Sequence, residues 1–443
     1  MPPISLRAAA AVTVSLVAFA ARPGLAQKGA GTDDIDRRVA AVMPKVIEWR
    51  RDIHQHPELS GEEVRTGKLV ADQLRAMGIE VREHVSRTGV VGVLRGAKPG
   101  PVVALRADMD ALPVTEEVDL PFKSTVRTRY NGQDVGVMHA CGHDAHTSML
   151  LGAASVLAGM RDQLAGTVVF LFQPAEEGGF GIGAGHERNG AGGMIDGGAL
   201  DNPKVDAVFG IHVWPDEPGA LSYKPGGAMA AADGLTITVH GRQTHGAQPW
   251  RGVDPIVVAS EIVGALQSIT ARQTDITAAP AVVTVATIHG GVRGNIIPDS
   301  VVMTGTIRTF DAAMRKDVHM RIKRTAEMIA QASGATATVE IGVGSDVVYN
   351  DPALTRRMAA TIRRATTATV RDNAVWMPSE DFSLYQQKVP GVFYFLGVNK
   401  AGVKAEDAAA NHSTKFFVNE DALPTGVKTY ATLAIDYLKG AAK

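Results

Sequence analysis

Short, nearly unbroken apolar runs, several of them followed directly by chemically capable polar residues, constrain this chain most. The runs 90–94, 102–106, 167–172 (TVVFLF), 205–213 and 391–397 read as buried strands. Helical periodicity fills the intervals, over 34–51 (Val39, Val42, Val46, Ile47 and Trp49), 66–77, 147–160 and 354–365. Strands alternating with helices predict an α/β fold with a mixed sheet and helices on both faces. Asp108, Asp110, Glu176, Glu177 and His212 sit at or just after strand ends, the edge at which open α/β sheets bind ligands.

The middle third has another rhythm. Strand and helix patterns at 234–240, 255–271, 281–288, 301–310, 312–332 and 337–343 give the order β-α-β-β-α-β of a ferredoxin-like unit. The expectation is an α/β domain in two parts, 34–227 and 347–443, interrupted by a ferredoxin-like satellite domain at 228–346. The glycine-rich stretch 178–198 lacks a Lys-Ser/Thr ending and GxGxxG spacing, so it reads as a mobile loop beside a site rather than a phosphate cradle. The basic run 314–324 reads as a solvated helix face.

At the amino end, Arg7, the apolar run 8–21 and a small-residue pattern ending near Ala26 describe a signal peptide over 1–26. The expected location is therefore exported, periplasmic or secreted. No later run is long enough for a membrane span. With 45 Lys and Arg against 46 Asp and Glu, the net charge of -1 gives no electrostatic reason for a nucleic-acid partner. The single cysteine of the chain cannot form an internal disulfide, which leaves its thiol to be explained.

That thiol lies in MHACGHDAHT (138–147), with Cys141, His143 and His146 close together. Glu176 and Glu177 follow a buried strand, His212 ends another, and His412 lies near the carboxyl end. Singly, each has an ordinary explanation: a buried cysteine packs as a small hydrophobe, and paired glutamates solvate a helix start. Together, thiolate, imidazole and carboxylate are the donors that hold zinc and similar divalent metals. A metal lowers the pKa of bound water from ~15.7 toward ~7, so that one glutamate can bind metal while its neighbour takes the proton.

In order along the chain come RADMDALPV (106–114), MHACGHDAHT, FQPAEEGG (172–179), GIHVWP (210–215), THGAQPWRGVDPI (244–256), GNIIPD (294–299), GTIRTFD (305–311) and SEDF (379–382). Together these motifs resemble the aminoacylase and carboxypeptidase G type of metallopeptidase, over about 50–420. The chain is most similar to the hippurate hydrolase and indole-acetyl amino acid hydrolase group, the N-acyl amino acid amidohydrolases. The resemblance implies a zinc-exopeptidase-like catalytic domain with two divalent metal ions, zinc first, with manganese, cobalt or nickel as alternatives. It implies Cys141, His143, Glu177, His212 and His412 as metal ligands, with Cys141 binding or bridging, and Glu176 as general base. Asp108 matches an aspartate that orients a ligand, and Asp144 a supporting position behind the ligands. His245 matches a histidine that stabilises the oxyanion, often in the catalytic site of a homodimer partner. Asn295 and Arg308 match positions that contact the substrate carboxylate, a task suited to the arginine fork.

The implied reaction cleaves an N-acyl amino acid to a carboxylic acid and a free amino acid. The alternatives are a metallo-dipeptidase or carboxypeptidase acting on short peptides, a cysteine hydrolase with Cys141 as nucleophile, and a non-catalytic exported binding protein. The chain departs from the family pattern at Ser413-Thr414, where a proline usually follows the serine, and at Pro378, where glycine is common.

Overall fold

In the Lys98–Asp108 strand, Val103, Leu105 and Ala107 enter one buried cluster and Ala104 another, the period of a pleated strand covered on both faces. The Ala165–Gln173 strand divides the same way, Val168, Phe170 and Phe172 against Val169 and Leu171. So does the Gly391–Gly397 strand, with Val392, Tyr394 and Leu396 against Phe393 and Phe395. Each valine, leucine and phenylalanine among them contributes about 1.5–3 kcal/mol by burial, and a one-residue slip would exchange the two faces, so register is strongly specified. This computed structural model describes residues 30–178, 189–372 and 375–440. The leader-like stretch 1–26 and residues 179–188 of the glycine-rich stretch lie outside them.

The resulting sheet has eight strands, in the order 80–85, 89–95, 165–173, 98–108, 207–214, 391–397, 221–222 and 370–371. The four strands 165–173, 98–108, 207–214 and 391–397 run parallel, and the neighbouring 89–95 and 221–222 strands pair antiparallel, so the sheet is mixed. Helices Ala30–Gln55, His143–Ala158, Pro352–Ala365 and Leu423–Gly440 cover one face through Val46, Met149, Ile362 and Leu433. Helices Gly190–Asp196 and Ser383–Gln386 cover the other through Met194 and Tyr385.

A second sheet, of four antiparallel strands, takes the order 281–290, 300–309, 231–240 and 336–343. Helices Pro255–Ser268 and Ala312–Ala332 pack on it through Ile262, Leu266, Val318 and Ile322, against Leu235, Ile237 and Val239. Both helices start on an aspartate cap: Asp254 accepts from the Ile256 amide and Asp311 from the Met314 amide. The connectivity is the ferredoxin-like one read from the sequence.

Three local readings need correction. The helix expected at 147–160 is His143–Ala158, which places His143 at its amino end beside the sheet edge. Gly142 before it has φ 91°, and a Cβ there would meet Val213 Cγ2 at 2.2 Å, so only glycine permits this entry. Within the glycine-rich stretch, Gly190–Asp196 is helical rather than loop. Gly190, at φ 58°, brings its backbone so near Asp381 that a Cβ would lie 2.4 Å from Oδ2. The basic run 314–324 is only partly solvated. Arg315 is buried and pairs with Asp233 and Asp346, and His319 Nε2 lies 2.7 Å from Asp233 Oδ2.

Asp144 is also placed differently. It follows His143, but about 100° further round the helix it faces the Ala30–Gln55 helix. There its Oδ2 lies 2.8 Å from Arg50 Nε and 2.8 Å from His54 Nδ1, instead of supporting a metal-donor side chain. Burial opposes its ionisation, but Arg50 and His54 hold the carboxyl well below the usual range. A carboxyl so depressed adds stability above its unfolded value, and that stability is lost as pH falls through the folded one. We expect Asp144→Asn to lower unfolding free energy by about 3 kcal/mol at pH 7. In denaturant titrations its gap from wild type should narrow below about pH 4.

Candidate active site

The predicted donors meet at one place: Glu177 just after the 165–173 strand, His212 near the end of 207–214, Cys141 and His143 at the amino end of the His143–Ala158 helix, and His412 in the connection before the Leu423–Gly440 helix. Cys141 Sγ lies 3.4 Å from His212 Nε2 and 3.3 Å from His412 Nε2. His412 Nε2 is in turn 2.8 Å from Glu177 Oε1. Donor atoms of Cys141, His143 and His212 all lie within 4.8 Å of one another, as do those of Cys141, Glu177 and His412. The two triads share the Cys141 sulfur. His143, Glu176 and Glu177 form a third group at the same spacing, which brings Glu176 against both triads.

Hydrogen bonds behind the donors decide which nitrogens face the centre. His212 Nδ1 donates to the Val213 carbonyl at 2.7 Å, leaving its Nε2 lone pair toward Cys141. His143 Nδ1 lies 2.8 Å from the Asp110 carbonyl oxygen and 3.2 Å from Asp110 Oδ1, and its buried Nε2 has no hydrogen-bond partner among the described residues. His146 is different. Its Nδ1 meets Asp108 Oδ1 at 2.6 Å and its Nε2 accepts from the Val213 amide at 2.8 Å, so both nitrogens are spent and it is not a donor. These partly orphaned soft and borderline donors fit divalent metal ions.

Electrostatics favour positive charge at this centre. Burial opposes protonation of His143, but Asp108 and the Asp110 bond outweigh it and raise its pKa well above the usual range. Bonds to Cys141 and Glu177 push His412 up to about 10. Burial, with His146 beside it, holds His212 far below the ordinary value and hence neutral. Burial and the Glu177 charge push the Cys141 thiol up. A cation placed among these groups competes with protons for the same donors.

Glu176 and Glu177 are set by Asp110, which the sequence reading noted only as a polar residue after a strand. Asp110 Oδ1 accepts from the Glu176 amide at 3.1 Å and Oδ2 from the Glu177 amide at 3.0 Å. The preceding Ala175 has φ 51° and His412 has φ 68°, left-handed conformations that cost a non-glycine residue about 1–3 kcal/mol each. The Glu176 side chain is pushed well above the carboxylate range, first by burial and then by Glu380, Glu177 and Asp381.

Glu380 and Asp381 belong to a network that sequence reasoning missed, although RADMDALPV, FQPAEEGG and SEDF supply its members. Arg106, fully buried, donates to Asp108 Oδ2 at 2.7 Å, Glu380 Oε1 at 2.8 Å, Asp381 Oδ1 at 3.0 Å and Gln173 Oε1 at 2.8 Å. The available signal was a lone arginine inside an apolar strand. Asp108 thereby ties the guanidinium to His146 on the helix below.

A cavity of ≈ 600 Å³ opens over the donors. Its lining includes Cys141, Glu176, Glu177, His212 and His412 on one side, with Val282 and Arg308 from the four-stranded sheet. Trp214, Met229 and Met377 add apolar wall. Arg308 is partly buried and bonded to Ser379 Oγ at 3.2 Å, and no carboxylate among the described residues lies within ion-pair distance of it. His245 and Asn295 do not line this cavity. His245 is exposed, with Nδ1 accepting from the Ala247 amide, and Asn295 lies beside it, its carbonyl accepting from the Gly246 amide. Within one chain they form a separate surface, because His245 lies on the short strand Thr244–His245 and Asn295 just before its partner Ile296–Ile297, a ribbon that does not line the donor centre.

Residues 104–436 match the model of peptidase family M20/M25/M40, and the chain belongs to that family. It is 42% identical over 398 residues to thermostable carboxypeptidase 1 of Saccharolobus solfataricus, covering 88% of this chain and 95% of that one. It is 37% identical over 402 residues to an N-acetylcysteine deacetylase of Bacillus subtilis, covering 90% and 98%. A solved Bacillus subtilis structure, described as a dinuclear metal binding peptidase from the M20 family, superposes with a TM-score of 0.76 at 35% identity, covering 90% of this chain and 99% of that one. The chain is thus a hydrolase of amide bonds with a metal-binding centre.

Arg106 is the buried counter-charge for three carboxylates, so its removal leaves them uncompensated. We expect Arg106→Met to cost about 3–5 kcal/mol at pH 7. In the variant the folded-state carboxyl pKa values rise, so stability is lost as pH rises through them. Denaturant midpoints at pH 5 and pH 8 check this: the deficit should be larger at pH 8.

Proposed function

We propose that this protein is a metal-dependent amidohydrolase that releases a free amino acid from an N-acyl amino acid, using two divalent ions, zinc first. The observation that carries the proposal is the pair of donor triads sharing Cys141, with Glu176 against both. Cys141, His143 and His212 would hold one ion, and Cys141, Glu177 and His412 the other. Bound there, divalent ions supply Lewis-acid polarisation of the amide carbonyl and acidify water.

The remaining work falls to the chain's own groups. Glu176, whose surroundings favour a held proton, takes the proton of the attacking water and passes it to the departing amine nitrogen. Arg308, bonded to Ser379 Oγ and with no carboxylate among the described residues within ion-pair distance, offers its guanidinium to the substrate carboxylate. The apolar walls at Trp214, Met229 and Met377 receive the rest of the substrate. A dipeptide presents the same carboxylate and amide, and the carboxypeptidase relative favours that second reading.

Several further assignments belong to the same reading. We take 34–227 and 347–443 as the catalytic domain and 228–346 as the satellite. His245 and Asn295 lie on an exposed satellite surface with Trp250, 76% exposed, and Val292, 96% exposed. A homodimer would cover this surface and carry His245 to a neighbouring centre, where it would stabilise the oxyanion. The leader-like residues 1–26 support export. The recovered protein should begin near residue 27 and sediment as a dimer; an intact amino end with a monomer contradicts both assignments.

For the reaction itself, Glu176→Gln should retain bound metal by elemental analysis yet lose turnover by about 10²–10⁴-fold. Chelation should abolish turnover of hippurate-like substrates in the wild type, and divalent metal should restore it. Undiminished turnover in either case excludes the mechanism. Arg308→Ala should raise KM for substrates with a free carboxylate far more than it lowers kcat. Parallel assays of N-acyl amino acids and dipeptides separate the two substrate readings.

A further inference from the structure

The turn that carries Glu176 and Glu177 is held from beneath by a residue with no part in the donor set. Three successive amides of this turn point at carboxylates: Ala175 N to Glu63 Oε1 at 2.9 Å, then Glu176 N and Glu177 N to Asp110. Asp110 touches His143 and so belongs to the donor scaffold. Glu63 does not. It precedes the Val64–Ala76 helix and is fully buried. Its Oε1 also accepts from the Gly61 amide at 2.6 Å, and its Oε2 from Thr88 Oγ1 at 2.5 Å. A buried carboxylate reaching out of one element to a single amide of another has a specific consequence. Ala175 sits at φ 51°, where an alanine is disfavoured, and the amide bonded by Glu63 is that of the disfavoured residue.

We infer that Glu63 is a positioning residue, which holds Ala175 in its left-handed conformation and thereby fixes the Glu176 carboxylate over the donor centre. If the bond is lost, the Ala175 backbone can relax toward right-handed or extended angles. Because rotation at Ala175 redirects everything after it, Glu176 and Glu177 swing together. Thr88 and Gly61 hold the Glu63 side chain from the far end, so the restraint runs from the Gly89–Arg95 strand side through Glu63 to the turn. Glutamine keeps an acceptor oxygen for the Gly61 and Ala175 amides and can set its NH2 group against Thr88 Oγ1, so it is a close mimic of Glu63.

The inference rests on Glu176 acting as proposed above, and the test separates the two. Glu63→Ala, Glu63→Gln and Thr88→Val are compared in metal-loaded protein for kcat, KM, metal content and amide exchange over residues 173–177. Thr88→Val removes one bond to Glu63 and leaves the Ala175 bond in place, and Glu63→Gln controls for general destabilisation. Where alanine prevents folding, Glu63→Asp, which withdraws the carboxylate by one methylene, replaces it. Expected is a fall in kcat of about 100-fold in Glu63→Ala, with KM little changed and metal held more weakly, because Glu177 shifts with Glu176. Exchange at Ala175 to Glu177 should quicken in the same variant. Glu63→Gln should stay within a few-fold of wild type, and Thr88→Val should fall between it and Glu63→Ala. Wild-type kcat and exchange in Glu63→Ala overturn the inference, as does a glutamine variant as impaired as the alanine one. If the wild type turns over no acyl amino acid or dipeptide, the proposed function fails, while the exchange comparison still decides the role of Glu63.

Discussion

Crowding of negative charge at the carboxyl edge of the sheet is the constraint on which the rest of the structure depends. Asp108, Asp110, Glu176, Glu380 and Asp381 are buried there, with Glu177 and the Cys141 thiol at the cavity wall. Buried like charges are tolerated only when paired and hydrogen-bonded. Arg106 neutralises part of the group from inside the sheet, binding Asp108, Glu380 and Asp381 at once. Three consecutive backbone amides neutralise another part by turning toward Glu63 and Asp110. The balance falls on the imidazoles of His143 and His412 and on any cation that replaces their protons. Burial pushes Asp381 up to about 8 even beside Arg106, with Glu380 adding to the effect, which shows how incomplete the internal compensation is.

The same economy explains the geometry of the donors. His143, His146 and His212 are packed with ring centres 4.7–6.1 Å apart, yet only two present a free nitrogen to Cys141. The difference lies in the second nitrogen of each ring. In His143 and His212 one nitrogen is fixed by a backbone carbonyl, whereas in His146 Asp108 and the Val213 amide consume both. Backbone fixes each tautomer, so the donor set is built before any ligand arrives.

Much of this was legible in the sequence, for identifiable reasons. Strand positions and the ferredoxin-like order follow from periodicities of two and 3.6 residues, which burial on both faces of a sheet enforces. The donor types stood out because thiol, imidazole and paired carboxylate are unusual together, while their assignment as ligands rests on the family resemblance. The placement of Asp144 was not, because one residue along a helix turns a side chain toward another partner, here Arg50 and His54. The helical segment Gly190–Asp196 was hidden by its composition, since glycine is a poor helix former and a residue remote in sequence, Asp381, anchors its first turn through the Ala191 amide. Arg106 and Glu63 escaped because each acts through contacts with residues remote in sequence. His245 and Asn295 carry motif signatures, yet a single chain leaves them on its surface.

The central claim is that one sulfur, Cys141 Sγ, belongs to both halves of a dinuclear centre. X-ray absorption spectroscopy at the zinc edge of zinc-loaded protein tests it most directly. The account predicts a sulfur shell near ~2.3 Å seen by both ions, nitrogen and oxygen neighbours near ~2.0–2.2 Å, and a metal–metal vector near ~3.5–4 Å that disappears in Cys141→Ser. A wild-type spectrum with only nitrogen and oxygen neighbours, or with sulfur but no metal–metal vector, would contradict it.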